Sequence, residues 1–414
     1  MARPAGESDL AGYLWPDVEA YLPADAYSRI KEAAEESDTE GRLAAQSLDL
    51  LAGHGYPGLP IPIELGGDGG TLLECCAVQR KLASADPGLA IATNMHLFSV
   101  GVMVEHWRRK KDSSWMLLEA IATQQRFMAS AFAEPNLGGS VTRSTLRARR
   151  VEGGYRVTGA KRPCSLAGVA DLVSLQMQTE STDGSSEVLI ALLPSHAEGL
   201  SWETSWTGMG MRGSASDTLR LDDCFIPDDL VFHRGVPGED DPVFASGLVW
   251  FCLTTTATYI GAVHAALAAA TGLLHQLRIA HLDAARAHLP SFQGMVGDAV
   301  TQLLPLEAAT AALARAVDSG TEGEVLLASA LALKQEALGI LPHALAGLVE
   351  AVGAVGYGRA AGLERLWRDV QAIRFHPPTR TATRQFLGRT ALGLPASLDL
   401  DESAPALRDL TETT

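Results

Sequence analysis

The sequence predicts an α+β protein in which a block of short strands lies between two helical regions. The first 125 residues, and the chain from about residue 238 onward, are rich in Ala, Leu and Glu with apolar residues at helical spacing. Residues 126–237 instead contain short apolar runs between Gly, Ser and Asp turns, which is typical of strands. The 414 residues are enough for two or three domains. We therefore predict an N-terminal helical domain (1–125), a β-barrel or β-sandwich domain (126–237) and a C-terminal helical bundle (238–414).

The N-terminal region is predicted to hold three main helices. Helical spacing indicates one helix over 24–53 and another over 89–109. Between them, Thr71 can cap a helix that runs to Ala85, because Glu74 three residues later completes a capping box.

The two following regions differ in the period of their apolar residues. The middle region predicts strands over 127–132, 146–151, 155–157, 172–177, 188–193 and 219–221. The C-terminal region predicts helices over 244–281, 291–314, 322–341, 344–352 and 362–373. The acidic chain after Pro395 is expected to be frayed.

Composition excludes several classes of protein. A net charge of −16 argues against a general binder of nucleic acid or anionic membranes, which needs a basic face. Five cysteines without CxxC spacing favour reduced thiols over disulfides or a zinc site, so we expect no metal. The first residues contain no apolar stretch, so we expect no signal peptide and a cytoplasmic protein.

One segment is long enough to cross a membrane. Residues 244–275 contain no Asp, Glu, Lys or Arg. They do contain three consecutive threonines (254–256) and many alanines, and no second span is recognised in the sequence. We therefore interpret the segment as the centre of a helical bundle or a subunit interface.

Two glycine-containing turns stand out in the β-region. The first follows an apolar run and reads Ala131-Phe-Ala-Glu-Pro-Asn-Leu-Gly-Gly-Ser140, and the second reads Gly159-Ala-Lys-Arg-Pro-Cys-Ser-Leu-Ala-Gly168. The glycines allow the backbone to pass close to a flat ligand. Cys164 and Ser165 follow a proline, which places them on a constrained turn. Without further context both turns are equally consistent with an ordinary surface sheet.

The order of these turns resembles the acyl-CoA dehydrogenase superfamily. A third stretch, Gly208-Met-Gly-Met-Arg-Gly-Ser214, followed by 219–227, resembles the chain that leaves the β-domain in that family. Gly353-Ala-Val-Gly-Tyr357 and Glu364-Arg-Leu-Trp-Arg-Asp369 match the next two motifs in order. The resemblance extends from about residue 50 to residue 394 and implies an N-terminal helical domain, a β-domain and a C-terminal four-helix bundle.

Two positions depart from the dehydrogenases of this superfamily. In those enzymes a glutamate removes the substrate α-proton. Pro377 stands at its commonest position, and Phe251 stands at about its alternative position. The segment Arg368-Asp-x5-Phe-His-x-Pro378 and the Cys164-Ser165 turn resemble instead the flavin monooxygenases of this fold, such as dibenzothiophene monooxygenases and amino-sugar nitrososynthases.

This resemblance implies a two-component flavin-dependent monooxygenase. Glu350 replaces a glutamine that lies near the FAD pyrophosphate in many members, and residues 286–292 lack the motif that grips FAD from a neighbouring subunit. The resemblance therefore implies weakly held FMN or FAD, supplied reduced by a separate flavin reductase, since no NAD(P)H fingerprint is visible. Reduced flavin and O2 would form a C4a-hydroperoxide that N-oxidises an amine, for example a nucleotide-linked amino sugar converted to a hydroxylamine or nitroso product. The family usually forms homotetramers, although a dimer is also compatible.

The resemblance also assigns roles to residues. Ser165 would bond near flavin N5, and His376 would deprotonate a nucleophilic substrate or hydrogen-bond the peroxide, with His96 as a second candidate. Arg212 and Leu166 would contact the substrate. The residues expected to contact the cofactor are Phe132, Ala133, Glu134, Gly139, Ser140, Cys164, Ser165, Gly353, Gly356 and Thr379.

Each assignment has a structural alternative. Ser165 can be a turn serine, His376 a helix-end residue facing the helix dipole, and His96 a core histidine. Arg212 can be a sheet-edge residue, and Glu134 can fix the turn. For the whole protein, the alternatives are an acyl-CoA or acyl-carrier-protein dehydrogenase with another base, and a non-catalytic flavin-fold assembly protein.

Overall fold

The computed structural model describes residues 9–135, 137–180, 185–239 and 241–399. Helices precede and follow a block of strands, so the predicted α+β class is confirmed. The N-terminal helices are α1 (Ala24–Glu40), α2 (Ala45–Gly53), α3 (Leu72–Ala85), α4 (Pro87–Lys110) and α5 (Trp115–Gln124). The single helix expected over 24–53 is wrong, because Gly41 adopts a left-handed φ of +68° and ends α1 there.

Capping explains where α3 and α4 begin. Thr71 and Glu74 form the predicted capping box at the start of α3. Asp86 then ends α3 and caps α4, accepting a bond from the amide of Leu89, and Pro87 occupies the first turn of α4. The two helices are therefore nearly continuous in sequence but separate in direction.

The strands form two four-stranded sheets. The strands are β1 (Met128–Ala131), β2 (Ala148–Val151), β3 (Gly154–Cys164), β4 (Leu172–Glu180), β5 (Ser186–Pro194), β6 (Leu200–Glu203), β7 (Asp217–Pro227) and β8 (Val231–Gly235). One sheet has the order β1-β4-β5-β8 and the other β2-β3-β7-β6. The strands β6 and β8 are absent from the sequence prediction. Both are short edge strands, whose few residues give little alternation to detect.

The C-terminal region consists of three long helices and three shorter ones. The long helices are α6 (Pro242–Gln276), α7 (Pro290–Asp318) and α8 (Glu324–Val352), and the shorter ones are α9 (Ala354–Tyr357), α10 (Leu363–Val370) and α11 (Arg380–Ala391). A small hairpin of two-residue strands, β9 (Arg278–Ile279) and β10 (Ala284–Ala285), follows α6. The predicted helices 322–341 and 344–352 are one helix, because α8 continues through the buried Pro342. The sequence analysis also missed α11.

Packing against α6 organises the helical core. Gly261 of α6 lies so close to α3 that a Cβ there would be 2.1 Å from the carbonyl oxygen of Arg80. Buried polar side chains also join α4 to α6: Asn94 Nδ2 donates to Thr255 Oγ1 at 3.0 Å. These contacts fix α6 relative to the N-terminal helices, and α6 also packs against α8.

Among the residues that the structure describes, three helices are long and apolar enough to cross a membrane, so the expectation of a single such segment is wrong. They are α4, α6 and α8. The most apolar stretches of α4 and α6 are 94% and 89% buried inside the chain, and that of α8 is 56% buried. Their apolar character is therefore accounted for mainly by the protein core.

The segment that follows α11 is partly ordered by burial. Leu398 and Asp399 are buried, so the frayed tail predicted after Pro395 is wrong for these two residues. The rest of the predicted tail, 400–414, lies outside the described residues.

Candidate functional site

Two predicted cofactor-binding segments meet although they lie about 240 residues apart. Gly139 has a φ of +88°, and a Cβ added to it would lie 2.5 Å from Cγ2 of Thr379. Only a glycine allows this contact. Thr379 in turn caps α11, where its Oγ1 accepts a bond from the amide of Ala382 at 3.3 Å. We call the loop that follows β1 and contains Gly139 the β1 loop, and the turn formed by residues 376–379 the His376 turn. The two therefore face each other.

Aromatic rings continue the connection from β1 to the His376 turn. The ring centroids of Phe132 and Phe98 lie 5.3 Å apart, those of Phe98 and Phe251 5.6 Å, and those of Phe251 and His376 6.2 Å. All three pairs meet edge to face, which is a favourable geometry for aromatic rings. Phe251, which stands where some dehydrogenases carry their base, thus packs against the histidine that the sequence analysis selected.

His376 is bonded through its ring and its backbone. The hydroxyl of Tyr259 lies 2.6 Å from Nε2. Burial raises the pKa of Tyr259 well above its usual value, so this hydroxyl keeps its proton. Burial, together with the nearby Lys334, lowers the pKa of His376 to about 3. The imidazole is therefore neutral. Because the Tyr259 hydroxyl has no other hydrogen-bond acceptor among the described residues, we infer that it donates to Nε2, which places the hydrogen of the ring on Nδ1.

Two consequences follow for His376. His376 directly follows the short 3-10 helix Gln371–Phe375, and its low pKa means that the ring carries no positive charge to pair with a helix dipole. The backbone carbonyls of His376 and Pro378 accept bonds from Lys334 Nζ at 2.8 and 3.2 Å. Sequence reasoning missed both Tyr259 and Lys334. The signal available for Lys334 was a lone cation in an apolar stretch of α8, at 328–334.

The Ser165 turn is held by a chain of hydroxyl groups. Ser165 Oγ lies 2.8 Å from Ser216 Oγ, which lies 2.7 Å from Ser214 Oγ. The next residue, Leu166, has a φ of +64°, and its amide bonds to the carbonyl of Ser214 at 3.3 Å. Cys164 is fully buried, and burial raises the pKa of its thiol to about 12. Its side chain is therefore a protonated core group, and a ligand could use only its backbone.

Glu134 forms a buried ion pair inside the β-domain. Its carboxylate bonds to Lys161, whose side chain is fully buried, and also to Ser144 and Thr145. Burial alone would raise the pKa of Glu134, but the charge and hydrogen bonds of Lys161 outweigh it and lower that pKa. This geometry matches the structural alternative, in which Glu134 fixes the turn.

Ser140 is covered by the segment that follows α11. Its hydroxyl donates to Asp399, which also accepts from Thr142 Oγ1 at 3.1 Å and from Arg143 Nε at 2.6 Å. The Asp399 side chain is buried, and its carboxylate accepts hydrogen bonds from donors in the segment that follows Gly139.

His96 and Arg212 are engaged in structural contacts. His96 Nδ1 accepts from the amide of Met128 at 3.1 Å, and Nε2 lies 3.0 Å from the carbonyl of Pro57. Both ring nitrogens are used, and burial lowers the pKa of His96 to about 4, which matches the alternative of a neutral core histidine. Arg212 donates to the carbonyls of Asp38 and Thr39 at the end of α1, which joins this turn to the N-terminal helices.

Gly353 and Gly356 lie at the far end of α8. Gly353 is 19 residues beyond Lys334, which corresponds to about 28 Å along a helix. Arg286 donates to the carbonyl of Val352 at 2.5 Å and closes this end of α8. The structure therefore does not bring these glycines to the His376 turn.

A cavity of about 480 Å³ with a mixed polar and apolar lining lies elsewhere, between α1, α3, α6 and α10. Its wall includes Asp9 and His264, whose ligand atoms lie within 4.8 Å of each other and of Glu307. The guanidinium of Arg80 bonds to all three side chains. A protein cation already occupies the centre of this group, so it does not suit a metal ion.

Comparison with known proteins identifies the family of the chain. Three family models match in chain order: acyl-CoA dehydrogenase N-terminal domain over 25–110, middle domain over 129–224 and C-terminal domain over 253–380. Isobutylamine N-hydroxylase of Streptomyces viridifaciens is 28% identical over 349 residues, which are 82% of this chain and 87% of that protein. Amino sugar nitrososynthase DnmZ of Streptomyces peucetius is 27% identical over 395 residues, 91% of this chain and 92% of that protein.

Among solved structures, KijD3 in complex with FMN and dTDP-3-amino-2,3,6-trideoxy-4-keto-3-methyl-D-glucose has a similar fold. The TM-score is 0.82 at 24% identity, covering 92% of this chain and 96% of that one. The three family models, in the order found in the family and over the domains that form the site, show that this chain belongs to the acyl-CoA dehydrogenase superfamily.

Proposed function

We propose that this protein is a flavin-dependent monooxygenase that oxidises the nitrogen of an amine, with reduced flavin supplied by a separate reductase. The observation that carries the proposal is the His376 turn. Pro377 and Phe251 occupy the two positions at which dehydrogenases of this fold hold a carboxylate base, and a neutral imidazole held by Tyr259 lies between them. Abstraction of an α-proton needs a base within reach, and a ring with a pKa of about 3 is a poor one.

The residues present suit a flavin. Gly139 keeps the β1 loop free of a Cβ where it approaches the His376 turn, and the nearby donors are neutral hydroxyls such as Ser165 and Thr379. We infer that the backbone of Phe132 and Ala133 and these hydroxyls hold the ring system, and that a bound reduced flavin supplies oxygen activation. The side chains then have two tasks: to exclude water, which the Phe98 and Phe251 rings can do, and to hold hydrogen bonds at fixed atoms.

An amine is the substrate class best supported. The matched N-hydroxylase and nitrososynthase are both named for oxidation of a nitrogen. The overall reaction balances as amine, O2, NADH and a proton giving hydroxylamine, water and NAD⁺, with the NADH electrons delivered by the reductase. A second oxidation, of the hydroxylamine with another O2, NADH and proton, would give the nitroso product, two waters and NAD⁺. We also expect a homotetramer, which light scattering on the purified protein measures.

A turnover assay tests the proposal. The purified chain is mixed with a flavin reductase, NADH, FMN or FAD, and a panel of a simple alkylamine, a dTDP-amino sugar, a thioether and a phenol. We expect 18O from 18O2 in a hydroxylamine or nitroso product from an amine, and none when the chain is omitted. Oxygen in the thioether or phenol alone would refute the amine assignment.

Two further measurements on the same protein test the dehydrogenase and the non-catalytic alternatives. If an acyl thioester bleaches the protein-bound oxidised flavin without O2, the protein is a dehydrogenase. If O2 consumption never exceeds that of free reduced flavin for any substrate, the protein is a non-catalytic relative.

A further inference from the structure

The best unexplained feature beside the site is a buried cation on α8. Lys334 is 2% exposed. Within the part of the chain that the structure describes, its Nζ bonds only to main-chain carbonyls, those of His376 and Pro378. An ammonium buried without a carboxylate costs free energy, and burial accordingly lowers the pKa of Lys334 to about 8. An apolar residue would serve the core of the bundle better, so stability of α8 does not account for a lysine here.

The His376 turn needs an external donor because of its sequence. Residues 377 and 378 are both prolines, which have no N–H, so the turn has few amides with which to bond its own carbonyls. The two carbonyls that Lys334 binds are those at the two ends of His376-Pro377-Pro378. One ammonium therefore fixes the path of the backbone on both sides of the prolines.

The imidazole is fixed separately by α6. Tyr259 bonds to Nε2, and Phe251, two helical turns earlier on the same helix, packs against the ring. The position of the ring thus depends on two long helices: α8 holds the backbone of His376 and α6 holds its side chain. The Nδ1–H is left without a hydrogen-bond partner among residues 9–399 as described.

We propose that Lys334 is a positioning residue, which binds the carbonyls of His376 and Pro378 so that the imidazole presents Nδ1–H at a fixed place beside the flavin site. The role of Lys334 in catalysis rests on the proposed function, whereas its contact with the His376 turn is independent of that function. Lys334 acts through the turn and has no contact with substrate in this role.

The matched variants are Lys334→Met and Gln335→Met. The first removes the ammonium but keeps an unbranched side chain of similar length. The second places a methionine at the next position of α8, about 100° further round the helix and therefore on another face. A third variant, Lys334→Gln, keeps one N–H donor and serves as the conservative replacement. Melting temperatures establish that each is folded.

Amide hydrogen exchange on the flavin-free protein gives a readout that needs no turnover. In Lys334→Met, exchange of the Ala382 and Thr383 amides, which bond to Thr379 at the end of the His376 turn, should rise about tenfold, with α8 itself unchanged. Gln335→Met should exchange like the parent, and Lys334→Gln should lie between them. Unchanged exchange at Ala382 and Thr383 in Lys334→Met would overturn the proposal, and so would an equal increase in Gln335→Met. If Lys334→Met does not fold, the same comparison between Lys334→Gln and Gln335→Met decides.

Coupling of NADH oxidation to product is the second readout. With an amine shown to be a substrate, Lys334→Met should release about tenfold more H2O2 per product molecule than Gln335→Met, because the donor at Nδ1 is no longer held in place. Equal coupling in the two variants would refute the positioning role. If the parent protein oxidises no amine, the proposed function fails, whereas the exchange result still shows whether Lys334 holds the turn.

Discussion

At the scale of single residues, the role of His376 depends on which ring nitrogen holds the hydrogen. Tyr259 keeps its proton and bonds to Nε2, so Nδ1–H is the donor available to a ligand. The side-chain amide of asparagine overlaps the Nδ1 position of histidine, whereas that of glutamine reaches the Nε2 position. We predict that His376→Asn retains several-fold more product formation than His376→Gln, with both variants folded. Equal losses would show that the tautomer inferred from Tyr259 is irrelevant to turnover.

Tyr259 provides a second, independent test of the same bond. Tyr259→Phe removes one buried hydrogen bond, worth about 1 kcal/mol, and leaves Nε2 without its donor. We predict about a fivefold loss of coupled product at unchanged flavin affinity, measured as product per NADH together with a flavin titration. The control is Thr310→Val on α7, which removes another buried hydroxyl bonded within its own helix. Loss of flavin binding in Tyr259→Phe would assign Tyr259 to the fold of the site and not to His376.

His96 allows a prediction of pH dependence whose sign can be worked out. The unfolded chain gains a proton on this ring as the pH falls through 6.5, whereas the folded chain gains it only near pH 4. The contribution of neutral His96 is therefore complete above pH 6.5 and is lost between pH 6.5 and 4, by about 1.4 kcal/mol per pH unit. The contribution of His376 has the same sign. Burial raises the pKa values of Asp86 and Asp369 to about 6 and about 7, so their contributions have the opposite sign and stabilise the folded protein more as the pH falls.

The difference between two proteins isolates the His96 contribution. In His96→Gln the other three groups are unchanged, so its unfolding free energy should depend less steeply on pH between 6.5 and 4 than that of the parent. Chemical denaturation at several pH values measures both slopes. Parallel slopes would mean that His96 titrates in the folded protein as it does in the unfolded chain.

At the scale of elements, the segment after α11 lies over a predicted flavin-binding residue. Asp399 accepts from Ser140, Thr142 and Arg143, and bonds to a charged acceptor are each worth about 1.5–3 kcal/mol when partly buried. We predict that Asp399→Ala releases residues 395–399, seen as faster amide exchange and faster cleavage by a non-specific protease after α11. Ser397→Ala, which removes only a local bond to the Asp399 amide, is the control. Protection equal to that of the parent would show that Leu398 alone holds the segment.

The limits of sequence reasoning are also clearest at this scale. The period of apolar residues located α3, α4, α6 and α7, because a helix that buries one face repeats every 3.6 residues. It failed at Pro342, where burial against the core keeps α8 continuous through a residue that usually ends a helix. It also failed at the edge strands β6 and β8, which bury too few residues to show a period.

The candidate site was predictable only where it coincides with local motifs. Gly139, Ser165 and His376 lie on turns that glycine and proline mark in the sequence. Tyr259 and Lys334 lie within long apolar helices, 117 and 42 residues from His376, and nothing local connects them to it. Their partners are determined by how α6 and α8 pack, which a single sequence does not reveal.

At the scale of the whole molecule, a chain of buried side chains joins the three regions. His106 near the end of α4 and His233 on β8 face each other, with their Nδ1 atoms 3.0 Å apart. His106 Nε2 lies 2.8 Å from Asp112, and His233 Nε2 lies 2.8 Å from Asp241, which caps α6. The hydrogen bonds of each histidine help to lower the pKa of its aspartate, so both carboxylates are ionised at neutral pH. A bond between two Nδ1 atoms needs a hydrogen on one ring and a lone pair on the other.

This arrangement predicts strong coupling between His106 and His233. Replacing either one leaves the other without its Nδ1 partner in a buried place, so His106→Gln and His233→Gln should each lower the melting temperature, and the double variant should lose much less than the sum. The control combines His106→Gln with His96→Gln, since these residues are ten apart on α4, about 15 Å, and share no partner. Its two effects should add. If the His106 and His233 effects also add, the contact does not join the regions, because the energy of each histidine would then come from its own aspartate alone.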